Sequence, residues 1–214
     1  MKRLGLLLIF EFWIINSASA NQLNTFFCQT YLESRQKDSE IYKSNQCCRN
    51  VQKLIKRLGL NNINIDKARV IFIMGEKNPE LPVREFPLLP LIPSEAFTRA
   101  VVEGSPFAAW NYHVLLEVEG FIYDLDAPDE KIRSVTEYFY LLFPNTEEGV
   151  DRLNQIEARV FSVHRFLQAY EDAAKNEVGP EYDRIAERRF ILRFKPRETR
   201  SPEITTLRKI INSF

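Results

Sequence analysis

Two adjacent cysteines and one histidine carry most of the chemistry this sequence offers. Cys47 and Cys48 stand at the start of a run in which Val51, Leu54, Ile55 and Leu58 recur at the spacing of one helix face. Gly59 follows as a stop. A thiol at a helix N-terminus meets the positive end of the helix dipole, which lowers its pKa from about 8.5 toward neutrality. Cys28 has no such setting. The histidine is His113, in a strand-like run from Trp110 to Val118. A second run, Phe121 to Asp126, follows across Glu119-Gly120, so a tight hairpin is expected, although Glu is not the favoured first turn residue. Pairing Val118 with Phe121 sets Leu115 opposite Asp124 and His113 opposite Asp126. His113 then has two carboxylates on its own face, with Asp126 the nearer by this register. A carboxylate beside an imidazole fixes its tautomer and stabilises its charged form, which is what a general base needs. Spacing alone leaves open which cysteine and which acid take part.

These runs resemble a known signature. Trp110-Asn111-Tyr112-His113-Val114, followed by Phe121-Ile122-Tyr123-Asp124-Leu125-Asp126, looks like the motif of the protein N-terminal glutamine amidohydrolases. That family is named for Trp-Asp-Tyr-His-Val, and its members follow it with Phe-Ile-Tyr-Asp-Leu-Asp. Cys47-Cys48-Arg49-Asn50-Val51-Gln52-Lys53-Leu54 resembles the family's nucleophile helix, and Val70 to Met74 the strand after it. A weaker likeness covers Arg159-Val160 and the helix to Tyr170. The resemblance implies a papain-like α+β fold, with an N-terminal helix carrying the nucleophile packed on an antiparallel sheet. It implies a catalytic triad of Cys47, His113 and Asp124, with Cys48 and Asp126 as the rival thiol and acid. It implies a glutamine-bearing peptide or protein as substrate, release of ammonia, and no cofactor.

The departures bear on the substrate. Asn111 stands where the family has aspartate, and strand parity puts it on the His113 face. The lost charge and the expected export together favour internal over N-terminal glutamines. The family's Ser-Asp-Arg-Ser-His-Met run has no counterpart; Glu171-Asp172-Ala173-Ala174 stands there. Two other classes share these residues: a cysteine protease or transglutaminase-like acyl transferase, and a catalytically dead binding protein with Cys47 in a disulfide.

The rest of the chain must position these groups. It has 214 residues, enough for one full core. Residues 21–214 are expected to form a single domain. Hydrophobic residues at 45 % and charged ones at 27 % describe a globular chain. Twenty-nine basic residues balance 29 acidic ones, so no basic field draws nucleic acid. Residues 1–20 have a basic start at Lys2 and Arg3, an apolar stretch interrupted by Glu11, and Ala18-Ser19-Ala20. This is the pattern of a signal peptide, with export to the periplasm or outside and cleavage before Asn21. The apolar run is shorter than the roughly 20 residues a spanning helix needs, so no stable membrane insertion is expected. No histidine and cysteine spacing suits zinc.

Residues 21–46 read as a polar arm. Arg69 to Met74 reads as a buried strand. Residues 77–93 hold five prolines and read as an extended surface segment, with Ser94 capping a short helix to Val102. The C-terminal part reads as mostly helical. It includes a helix through Val163, Phe166, Leu167 and Tyr170 capped by Ser162, and a strand at Phe190 to Phe194. His164 falls on the polar side of that helix and reads as surface.

Overall fold

The computed structural model describes residues 28–36, 42, 46–59, 67–76, 91–94, 110–145, 151–173, 175 and 204–214. The expected leader at 1–20, the helix after Ser94 and the strand at Phe190 to Phe194 lie outside the described residues. So does most of the proline-rich segment.

The fold is mixed, with helices packed on a six-stranded antiparallel sheet, an α+β architecture. A helix over 28–35, α1, opens the described chain. Next come α2 (Cys47–Gly59), β1 (Ala68–Glu76), β2 (His113–Val118), β3 (Phe121–Tyr123) and β4 (Arg133–Ser134). Then follow α3 (Val135–Leu142), β5 (Ile156–Ser162), α4 (Val163–Ala173), β6 (Thr205–Thr206) and α5 (Leu207–Ile211). The strands lie in the order β4-β3-β2-β1-β5-β6, so the longest, β1, is central.

Alternation along β1 and β2 explains the two layers. Val70, Phe72 and Met74, with Val114, Leu116 and Val118, face one way and pack with Val51, Leu54, Ile55 and Leu58 of α2 and with Phe166 and Tyr170 of α4. Ile71, Ile73 and Leu115 face the other way, against Val135, Tyr138, Phe139 and Leu142 of α3 and Leu207 and Ile210 of α5. Each helix is amphipathic and lays one stripe on the sheet. Burying a Leu or Ile in these layers contributes about 2 kcal/mol.

The β2–β3 hairpin has the expected register, with Val118 opposite Phe121. Its turn residues Glu119 and Gly120 both have positive φ, 51° and 88°. This is the backbone a two-residue hairpin requires. Lys67 holds the Glu119 carboxylate at 2.7 Å. Behind the turn, buried Glu117 pairs with Arg69 at 2.8 Å across the β1–β2 ladder and accepts the Gly120 N–H. Helix α4 starts as expected, with Ser162 Oγ accepting from Arg165 N at 3.3 Å, and His164 is exposed.

Four expectations need correction. The arm at 21–46 contains helix α1, whose Tyr31 and Ser34 are buried. The described end of the proline-rich segment is only partly surface: Ile92 is exposed, but Leu91 and Pro93 are buried, and Leu91 bridges Trp110. The second hairpin run is shorter than expected, because β3 ends at Tyr123. The C-terminal part is not simply helical, since β5 lies beside β1 as a full partner.

Candidate functional site

The site forms at the end of the sheet where the first residue of α2 meets the first residue of β2. Cys47 opens α2, and Gln46 supplies the carbonyl that accepts the Asn50 N–H at 2.9 Å. No acidic residue lies in the first helical turn, while Lys56 and Arg57 lie in the last. The positive end of the dipole therefore faces Cys47 with no carboxylate in its own turn to offset it. By strand parity His113 belongs to the α3 face and α2 covers the other. The two side chains meet because each is terminal in its element, and His113 hydrogen-bonds the Cys47 sulfur.

Asp124 completes the line. The His113 Nε2–H donates to Asp124 Oδ2 at 3.2 Å, with both residues buried. That leaves Nδ1 for the thiol. The register alone favoured Asp126 as this partner. The structure puts Asp124 there because the chain leaves the ladder after Tyr123. The Asp124 carboxylate then turns back, its Oδ1 accepting the Asp126 N–H at 2.9 Å, an Asx turn.

Two supports for Asp124 were missed in the sequence. Tyr138 of α3 donates its hydroxyl to Asp124 Oδ2 at 2.5 Å. Its helix carries a legible signal: Ser134 and Glu137 form the cap, and Val135, Tyr138, Phe139 and Leu142 make one buried face. From the opposite side, Tyr31 of α1 donates to the Asp124 carbonyl at 2.8 Å. Arg35 reaches the Ala127 carbonyl at 2.6 Å and the Tyr31 hydroxyl oxygen at 2.9 Å. Helix α1 thus latches the acid-bearing loop. Trp110 stacks on the His113 ring, with centroids 4.0 Å apart and planes at 26°. Asn111 precedes β2 and is exposed, so strand parity does not extend to it.

The electrostatics follow from these contacts. Burial pushes the Cys47 thiol up. Hydrogen bonds from Cys48 and His113, the His113 charge and the Val114 N–H outweigh it and bring the thiol down to about 6. Burial would lower His113, but the Asp124 charge and hydrogen bond, with those of Cys47, hold it well above the ordinary imidazole range. Burial also opposes ionisation of Asp124. The His113 charge and hydrogen bond, the Tyr138 hydroxyl and the Asp126 N–H keep it ionised, below the usual carboxylate range. The arrangement therefore favours thiolate beside imidazolium.

Oxygen or nitrogen atoms of His113, Asp124 and Asp126 lie within 4.8 Å of one another. These donor types suit a divalent cation, but the facing atoms of His113 and Asp124 are already spent on each other and on Tyr138. All three cysteines are free thiols, and Cys47 and Cys48 are buried. Among the described residues no helix is long and apolar enough to cross a membrane. Comparison with protein-family models finds no match for this chain, and a search of curated proteins finds none either.

Proposed function

We propose that the protein is an exported thiol amidohydrolase of papain-like design that converts glutamine to glutamate in peptides or proteins and releases ammonia. One observation carries this reading: the acid-braced ring of His113 hydrogen-bonds the helix-start thiol of Cys47. The resemblance of the hairpin and helix motifs to the glutamine amidohydrolases supplies the substrate.

The chemistry is acyl transfer to sulfur. The Cys47 thiolate attacks the glutamine amide carbon, and the carbonyl oxygen takes the negative charge. The N–H groups of the first helical turn, which have no intrahelical partner, stabilise that oxyanion; the Cys47 N–H is one of them. His113 protonates the departing nitrogen, and ammonia leaves a thioester on Cys47. His113 then draws a proton from water, which attacks the thioester and frees glutamate. Asp124 holds the ring in orientation throughout and balances its charge. No step calls on a cofactor.

The test is incubation of the protein with peptides carrying glutamine at the N-terminus or internally, with ammonia and product mass as readouts. Ammonia with an intact chain supports the reading. Chain cleavage or cross-linking assigns a protease or transglutaminase-like enzyme instead, and silence on both peptides removes the enzymatic reading.

A further inference from the structure

Asp126 is a carboxyl group at the site that the mechanism above does not use. It is the one half-buried member of the His113, Asp124 and Asp126 group, whose other two are buried. Its ligand oxygen lies within 4.8 Å of the His113 and Asp124 ligand atoms, beside the ring that would deliver the proton. Tyr42 donates a hydrogen bond to its carboxyl, so it is held in place by a residue ahead of α2. Burial, the neighbouring Asp124 charge and the Cys47 charge raise it to about 7, against the pull of His113. In either protonation state such a carboxyl keeps an oxygen that can accept an N–H.

The reacting nitrogen needs such an acceptor. An amide nitrogen leaves only when its lone pair points at a proton donor. In the tetrahedral adduct that nitrogen carries two hydrogens and rotates freely. An acceptor close to both Cys47 and His113 stops that rotation.

We propose that Asp126 is a further catalytic residue: its carboxyl oxygen accepts one N–H of the leaving carboxamide nitrogen and turns that nitrogen's lone pair toward His113. The Cδ–N bond then breaks with its electron pair on nitrogen. His113 delivers its proton there, ammonia departs, and the carbonyl re-forms as the Cys47 thioester. The role rests on the amidohydrolase reading and makes it specific. An ester oxygen has no hydrogen to offer Asp126, so the site selects carboxamides over esters of the same shape.

The experiment compares a glutamine peptide with the same peptide carrying the glutamate γ-methyl ester. Release of ammonia and of methanol is measured as kcat/KM. Asp126→Ala is expected to lose about a hundredfold on the amide and to stay within about threefold on the ester. Asp126→Asn keeps an acceptor oxygen and recovers the amide reaction to within about tenfold of the parent. Asp126→Ser, too short to reach, shows the alanine pattern and serves where alanine leaves no folded protein. Equal losses on amide and ester, or no loss on either, overturn the role of Asp126 alone. A parent protein inert toward both peptides instead overturns the amidohydrolase reading from which it starts.

Discussion

His113 and Asp124 stand 11 residues apart in sequence, and their Nε2 and Oδ2 atoms lie 3.2 Å apart inside the protein. The hairpin does not bring them together by its ladder, since β3 ends one residue before Asp124. An Asx turn aims the carboxylate back at the ring. Asp124→Asn keeps the shape and removes the charge that holds His113 protonated. It is expected to lower kcat by roughly 10²- to 10⁴-fold with little change in circular dichroism.

The lowered thiol predicts a pH profile. Alkylation of Cys47 by iodoacetamide is expected to rise with a midpoint near pH 6, against about 8.5 for an ordinary thiol. His113→Ala removes a hydrogen bond and a charge but leaves the burial and the Cys48 and Val114 hydrogen bonds, so its midpoint moves up from about 6. The same groups set stability. Cys47 is lowered on folding, so its contribution is present above the ordinary thiol range and is lost as pH falls through about 6. His113 is raised, so its contribution is present below 6.5 and is lost as pH climbs through its raised value.

Tyr138→Phe tests the brace behind the acid. It removes the O–H donor from a buried carboxylate oxygen, at a cost of about 1–3 kcal/mol in denaturant unfolding. Asp124 becomes a poorer anion and a looser pivot, and kcat is expected to fall roughly tenfold.

Arg35→Ala tests the latch from α1. It leaves the Ala127 carbonyl without its guanidinium donor and the Tyr31 hydroxyl without its neighbour. A loss of about 2 kcal/mol in unfolding free energy is expected, with a fall in kcat as the Asp124 loop loosens.

What could be read in advance follows the physics of local pattern. The start of α2, the β2–β3 register and the Ser162-capped helix are all written in nearby residues, and the structure has them. The strand β5 was hidden because Glu157 and Arg159 interrupt its apolar run, although both are buried. Helix α1 was hidden because its anchors, Tyr31 and Arg35, bind backbone carbonyls about 90 residues away, at separations of 93 and 92. The choice of Asp124 over Asp126 depends on where a strand ends, a tertiary matter that alternation cannot show. Tyr138 carried a capped, amphipathic signal that was there to be used.

Asp126 adds a penalty to folding where Cys47 and His113 add stability, and with His113 it makes stability fall as pH rises. Its carboxyl ionises near 3.9 in the unfolded chain but is raised to about 7 on folding. The folded state is therefore penalised increasingly as pH rises between those values, and fully above them. Asp126→Asn is expected to stabilise the protein by roughly 1–2 kcal/mol at pH 8 and to leave it unchanged at pH 3, read by thermal unfolding.

The central claim is that the Cys47 sulfur, not its neighbour, attacks a glutamine amide. Ammonia release from a glutamine peptide by the parent protein, Cys47→Ala and Cys48→Ala tests it most directly. The parent should release ammonia, Cys48→Ala should retain activity within about tenfold, and Cys47→Ala should release none above background. Undiminished release by Cys47→Ala, or none from the parent, contradicts the account.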